Sequence, residues 1–209
     1  MKDFYDFNDL FVLDLANNHQ GDVEHGLNVI RSVAEVARRH HVKAALKFQY
    51  RQLDSFIHRH HQDDSDNNHI PRFLSTALTR AQYQALLDEV QNQGLIPMCT
   101  PFDEESVKII VEEGFEILKV ASCSSKDFPL LEEVAASGLP VVFSTGGLEL
   151  RNIDDLSSFF DHRGTDYAIM HCVSIYPTPD EHCQLNQIAE LRERYPGKVI
   201  GWSTHEDPD

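Results

Sequence analysis

Seven short apolar runs punctuate this chain, and a stretch of helical periodicity, never a hairpin turn, separates each from the next. The runs fall at residues 10–16, 44–48, 96–100, 117–122, 141–144, 167–171 and 199–203. Between them, helical spacing covers 27–37, 79–93, 103–113, 129–137, 153–160 and 185–195. Thr79 stands where an N-cap belongs, and Gly94 and Gly138 stand where helices end. Strands that follow one another without hairpins pair in parallel through crossover helices. Polar residues gather at the C-terminal end of nearly every run rather than at one point in the series. That distribution favours a closed ring of strands over an open doubly wound sheet. The expected fold is α/β, a (β/α)8 TIM barrel truncated after strand seven, with residues 1–209 as a single domain. The last unit is then supplied by another segment or partner, or has been removed.

Composition narrows the partners. A chain of 209 residues with 41% hydrophobic content supports one sizeable core and not two comfortable domains. Thirty-four acidic against 18 basic residues give a formal net charge of −16, which argues against nucleic acid or an anionic membrane as partner. No apolar run approaches the roughly 20 residues needed to span a bilayer. Residues 1–8 lack the basic and apolar regions of a secretory leader. The four cysteines, Cys99, Cys123, Cys172 and Cys183, form no CxxC pair, and three fall in strand-like runs. Reduced, buried thiols in a cytoplasmic enzyme are expected.

Two of the apolar runs carry a lysine where a buried strand should have none. Lys119 interrupts Ile117-Leu118-Lys119-Val120-Ala121-Ser122, and Lys47 interrupts Ala44-Ala45-Leu46-Lys47-Phe48-Gln49. A buried ammonium needs a carboxylate or an anionic ligand, because desolvation alone is too costly. Two such lysines point to a pocket for a small, multiply charged anion; pairing with core carboxylates, or an outward turn, is the plainer alternative. The polar set at the strand ends comprises Asp14, Asn18 and His19, Lys47 and Gln49, and Thr100. It continues with Lys119, Ser122 and Ser124, Ser144 and Thr145, His171, Ser174 and Tyr176, and Ser203 and His205. Ammonium groups among hydroxyls suit phosphate and carboxylate. Asp14 is available for proton transfer or for pairing one of the lysines. His205, just beyond a strand end, is a candidate metal ligand. His171 reads as a core histidine, Trp202 as packing, and residues 144–147 equally as a strand-to-helix turn. Residues 51–71 read as an exposed loop. Its His58, His60, His61 and His69, with Asp63, Asp64 and Asp66, match no tight metal spacing and read as solvated.

Six segments in register resemble the sialic acid synthase family, the phosphoenolpyruvate-dependent synthases of N-acetylneuraminate and related nonulosonates. Asn18-His19-Gln20-Gly21 resembles its N-H-x-G, and Lys47-Phe48-Gln49 its K-F-Q. Lys119-Val120-Ala121-Ser122 resembles K-I-x-S, and Ser144-Thr145-Gly146 resembles S-T-G. Residues 171–177 resemble H-C-x-x-x-Y-P, and 201–205 resemble G-x-S-D-H. The resemblance implies a barrel that condenses phosphoenolpyruvate with an open-chain sugar aldehyde, releasing phosphate. It implies that Lys47, Thr100, Lys119, Ser122, Ser144, Ser174, Tyr176 and Ser203 contact phosphoenolpyruvate. It further implies that Asn18, Gln49 and Ser124 lie at the sugar, and that His205 holds a divalent metal, manganese or magnesium, which polarises the aldehyde. Asp14, Lys47 and Lys119 are then the catalytic residues, and a homo-oligomer, a dimer, is expected.

The departures are informative. The family's E-I-G reads Asp14-Leu15-Ala16, one methylene shorter, and a small misplacement costs about 10²-fold in rate. Ser124 replaces a sugar-contacting glutamate, Ser174 an asparagine and Thr204 an aspartate. The second metal histidine and the family's C-terminal antifreeze-like domain lie beyond residue 209. Two other readings stand beside the synthase: an aldolase-type barrel with a Schiff base on Lys47 or Lys119, and a degenerate barrel kept as an anion-binding scaffold.

Overall fold

The computed structural model describes residues 4–61, 67 and 69–206. Seven strands form one sheet in chain order: β1 (Leu10–Asp14), β2 (Lys43–Tyr50), β3 (Ile96–Pro101), β4 (Ile117–Val120), β5 (Val141–Ser144), β6 (Tyr167–Cys172) and β7 (Ile200–Ser203). The helices are α1 (Val23–His40), α2 (Leu53–Phe56), α3 (His69–Ser75), α4 (Arg80–Asn92), α5 (Glu104–Glu113), α6 (Phe128–Ala136), α7 (Leu150–Arg163) and α8 (Asn186–Arg194). Parallel strands in chain order with helical crossovers are the arrangement of the (β/α)8 TIM barrel, here carried through its seventh strand. The chain divides into two compact units, residues 9–117 and residues 118–209 with the first eight.

In the unit spanning 9–117, β1, β2 and β3 pair in parallel. Strand β2 alternates: Phe48 and Tyr50 turn towards the helices, where both rings meet Phe115 and Tyr50 also meets Tyr83. The Tyr50 hydroxyl donates to Glu113 Oε2 at 2.7 Å. Burial above all, then Cys99 and Glu113, pushes that phenol well above its ordinary value, so it stays a donor. Helices α1 and α4 approach closely at Gly26, where a Cβ would lie 2.8 Å from Leu86 Cδ2. Asp103 has two tasks. Its Oδ1 accepts the Ser106 N–H at the start of α5, and its Oδ2 accepts the Gln52 N–H just past β2, each at 2.7 Å. Asp103→Ala removes a helix cap and orphans a second amide, so an expected loss of about 2–3 kcal/mol should appear in denaturant melts.

In the other unit, β4, β5, β6 and β7 pair in parallel. Its core stacks Phe143 on Phe160 and brings both to Tyr167, beneath the buried Ile153 and Leu156 of α7. The Tyr5 N–H donates to Asp166 Oδ2 at 3.2 Å, tying the N-terminal residues to this unit.

The structure corrects several expectations. Strand β1 ends at Asp14, because Ala16 takes a left-handed φ of +38°. Residues 51–71 are not a featureless loop. They hold α2, a single 3-10 turn (Arg59–His61) and the start of α3, in which Pro71 occupies the first turn, where its missing N–H costs nothing. Trp202 is 41% exposed and not packed away. Only Cys99 and Cys172 lie in strands; Cys183 is buried outside one, Cys123 is exposed, and all four are free thiols. No described helix is long and apolar enough to cross a membrane.

Candidate active site

Strand register assigns faces. Side chains alternate along a strand, and partners across a parallel ladder point the same way. In the unit spanning 9–117, Asp14 pairs with Lys47 and Lys47 with Met98, while Gln49 pairs with Thr100. Asp14, Lys47, Gln49 and Thr100 therefore share one face at the C-terminal strand ends. Lys47 Nζ donates to Asp14 Oδ2 at 2.9 Å, with the lysine side chain 12% exposed and the aspartate 51%. The carboxylate that compensates this lysine is thus half in solvent. Thr100 Oγ1 is buried with no protein partner among the described residues. Gln49 Oε1 accepts from Arg51, and Asn18 Nδ2 donates to the Asp14 carbonyl at 3.0 Å, which closes the end of β1. His19 lies buried, its Nδ1 accepting the Gly21 N–H at 3.1 Å. Burial, helped by His25, pulls its pKa below the ordinary value, so it is a neutral structural group.

The second unit holds the hydroxyl cluster. Lys119 pairs with Val142, Ser144 with Met170 and Cys172 with Ser203. Alternation then puts Lys119, Ser144, Cys172 and Ser203 on one face, and His171 and Trp202 on the other. Ser144 Oγ is buried with no protein partner among the described residues. At the centre is Gly146, whose N–H donates to Ser122 Oγ at 3.0 Å. A Cβ there would lie 2.4 Å from Ser174 Oγ, 3.0 Å from Ser122 Oγ and 3.3 Å from Cys172 Sγ. Three chain segments thus converge on one glycine, and the Ser174 hydroxyl takes the place a side chain would need. Thr145 is committed to the backbone, donating to the Met170 carbonyl at 3.1 Å. Ser124 is buried in the 3-10 turn Ser122–Ser124. The exposed Tyr176 ring lies 4.2 Å from the His205 ring, whose Nδ1 is 3.9 Å from Cys172 Sγ.

Other expectations sort plainly. His171 is a core residue, its Nε2 bonded to the Cys183 carbonyl at 2.8 Å. His58, His60, His61 and His69 are exposed, and Asp63, Asp64 and Asp66 lie outside the described residues. Among the described residues no group of three or more His, Cys, Asp or Glu side chains could hold a metal ion. His205 therefore offers at most part of a ligand set. Gly146 as the hub of the cluster, and Arg51 beside Gln49, were not foreseen. Period two along β2 was the available signal for Arg51, two residues beyond Gln49.

In each unit the parallel strands place polar side chains on one face of their C-terminal ends, as α/β barrels do. Residues 33–208 match the NeuB family, and the chain belongs to that family. A solved structure described as spore coat polysaccharide biosynthesis protein E of Chromobacterium violaceum is 48% identical, with a TM-score of 0.94 over 96% of this chain and 60% of that one. The N-acetylneuraminic acid synthetase of Leptospira borgpetersenii, solved with citrate, is 27% identical, with a TM-score of 0.81 over 95% of this chain and 65% of that one. The N-acetylneuraminate-9-phosphate synthase of Drosophila melanogaster is 31% identical over 202 residues, 93% of this chain and 53% of the relative. The chain spans about half the length of the curated relatives it matches.

Proposed function

We propose that this chain is the barrel portion of a synthase joining phosphoenolpyruvate to an open-chain acylamino sugar aldehyde, giving a nonulosonic acid and phosphate. The hydroxyl cluster around Gly146 carries the reading, because hydroxyl groups gathered at strand ends suit the oxygens of a phosphate or carboxylate. By the family resemblance, Lys47, Thr100, Lys119, Ser122, Ser144, Ser174, Tyr176 and Ser203 are assigned to phosphoenolpyruvate. Asn18, Gln49 and Ser124 are assigned to the sugar. In the reaction, C3 of phosphoenolpyruvate bonds to the aldehyde carbon, whose oxygen takes up a proton. Water then adds to the cationic C2 and loses a proton, and the C2–O bond to phosphate breaks, leaving a 2-keto acid. Asp14 is the assigned proton carrier, and Lys47 holds it in place. His205 is assigned as one ligand of a divalent manganese or magnesium ion, which would polarise the aldehyde oxygen when bound. An imine on Lys47 would have to give up the ion pair with Asp14, which counts against a Schiff base there. Four free thiols accord with a cytoplasmic, reducing setting. A homodimer is the assigned assembly.

The test is phosphate release from phosphoenolpyruvate with manganese and a panel of acylamino sugar aldehydes. Release that requires an aldehyde is expected. Binding without turnover points instead to a retained anion-binding barrel, and borohydride trapping of a keto substrate to an aldolase.

A further inference from the structure

Gln49 has a neighbour that decides which end of its amide is available. Arg51 Nη2 donates to Gln49 Oε1 at 2.7 Å, a short, charge-assisted bond. A carboxamide has one oxygen and one NH2, and nothing in its shape distinguishes the two orientations. A cation fixed beside it does. The guanidinium is itself fixed: its Cζ lies 4.2 Å from the centroid of the Phe73 ring and 4.5 Å from that of Phe102, with Phe56 at 5.9 Å. Phe56 and Phe73 come from α2 and α3, so the excursion after β2 serves to clamp this arginine. Arg51 Nε is buried without a protein acceptor among the described residues, so the cation is not drawn away from Gln49 by a carboxylate there. Gln49 shares its face with Lys47 and Thr100.

We propose that Arg51 is a positioning residue that holds Gln49 with its NH2 group presented to the aldehyde substrate, selecting for a hydrogen-bond acceptor such as an acyl carbonyl oxygen. This rests on the synthase reading and adds to it the chemistry by which the acceptor sugar is chosen. An N-acyl group presents a carbonyl oxygen to those donors. The same sugar with a free amine presents an ammonium, a donor only, and is rejected because two donors meet.

The test uses Arg51→Met in the full-length protein, since methionine keeps an unbranched apolar stem beside the aromatic rings. The expected result is a KM for the N-acyl aldehyde raised about tenfold or more, with the KM for phosphoenolpyruvate unchanged and preference over the free-amine sugar reduced. Arg51→Lys restores a cationic donor and recovers part of the loss. An unchanged acceptor KM with unchanged preference overturns the proposal. So does a parallel rise in both KM values, the mark of a disturbed fold. If the parent protein releases no phosphate with any aldehyde, the synthase reading fails and this one with it; release by the parent with an unaffected variant sinks the Arg51 role alone.

Discussion

Gly146→Ala is expected to weaken phosphoenolpyruvate binding by about 10²-fold, the scale of displacing aligned hydrogen-bond donors by an ångström, while the chain still folds. The new methyl would lie 2.4 Å from Ser174 Oγ, closer than real Cβ contacts come, and 3.0 Å from Ser122 Oγ, a tight approach. The Ser174 hydroxyl must move, and Ser122 must give by a few tenths of an ångström. Backbone strain does not enter, since Gly146 is not among the positive-φ glycines. Stability should therefore change by no more than about 1 kcal/mol. Calorimetric titration with phosphoenolpyruvate beside a thermal melt separates the two effects. A large fall in melting temperature with affinity intact would make Gly146 a packing glycine only.

Asp14→Asn carries the second large effect. The amide oxygen still accepts from Lys47, so the local geometry is kept, but the group no longer takes up a proton. A kcat reduced about 10²- to 10⁴-fold, with little change in the KM for phosphoenolpyruvate, is the expected signature of a lost general base. Asp14→Glu restores the carboxylate and is expected to retain activity. Wild-type turnover in the asparagine variant would reduce Asp14 to a structural partner of Lys47.

The parts of this molecule that were legible in the sequence are those fixed by period. The nearly continuous apolar runs at residues 44–49 and 117–122 identified buried strands, and β2 and β4 form there as parallel strands. Caps were equally readable: Thr79 caps α4, and Gly94 and Gly138 take left-handed φ values just past α4 and α6. What escaped depends on distant partners. Residues 51–71 looked solvated because histidines and aspartates outnumber Phe56, Ile57 and Ile70, yet Ile57 and Ile70 are buried and Phe56 meets Phe73 and Phe102. Trp202 looked like core by residue type, but it lies on the face of β7 shared with His171 and stays partly in solvent. The Arg51–Gln49 bond depends on side-chain reach and could not be read from spacing alone, whereas the Lys47–Asp14 pair was one of the alternatives the sequence left open.

Running the condensation in water enriched in ¹⁸O tests the account most directly, because it reports which bond to the bridging oxygen breaks. The mechanism adds water to C2 and cleaves the C2–O bond, so the phosphate released with an acylamino sugar aldehyde should carry no label. Label in that phosphate would mean attack at phosphorus, and this chain would belong to a phosphate-ester hydrolase, not a carbon–carbon bond-forming synthase.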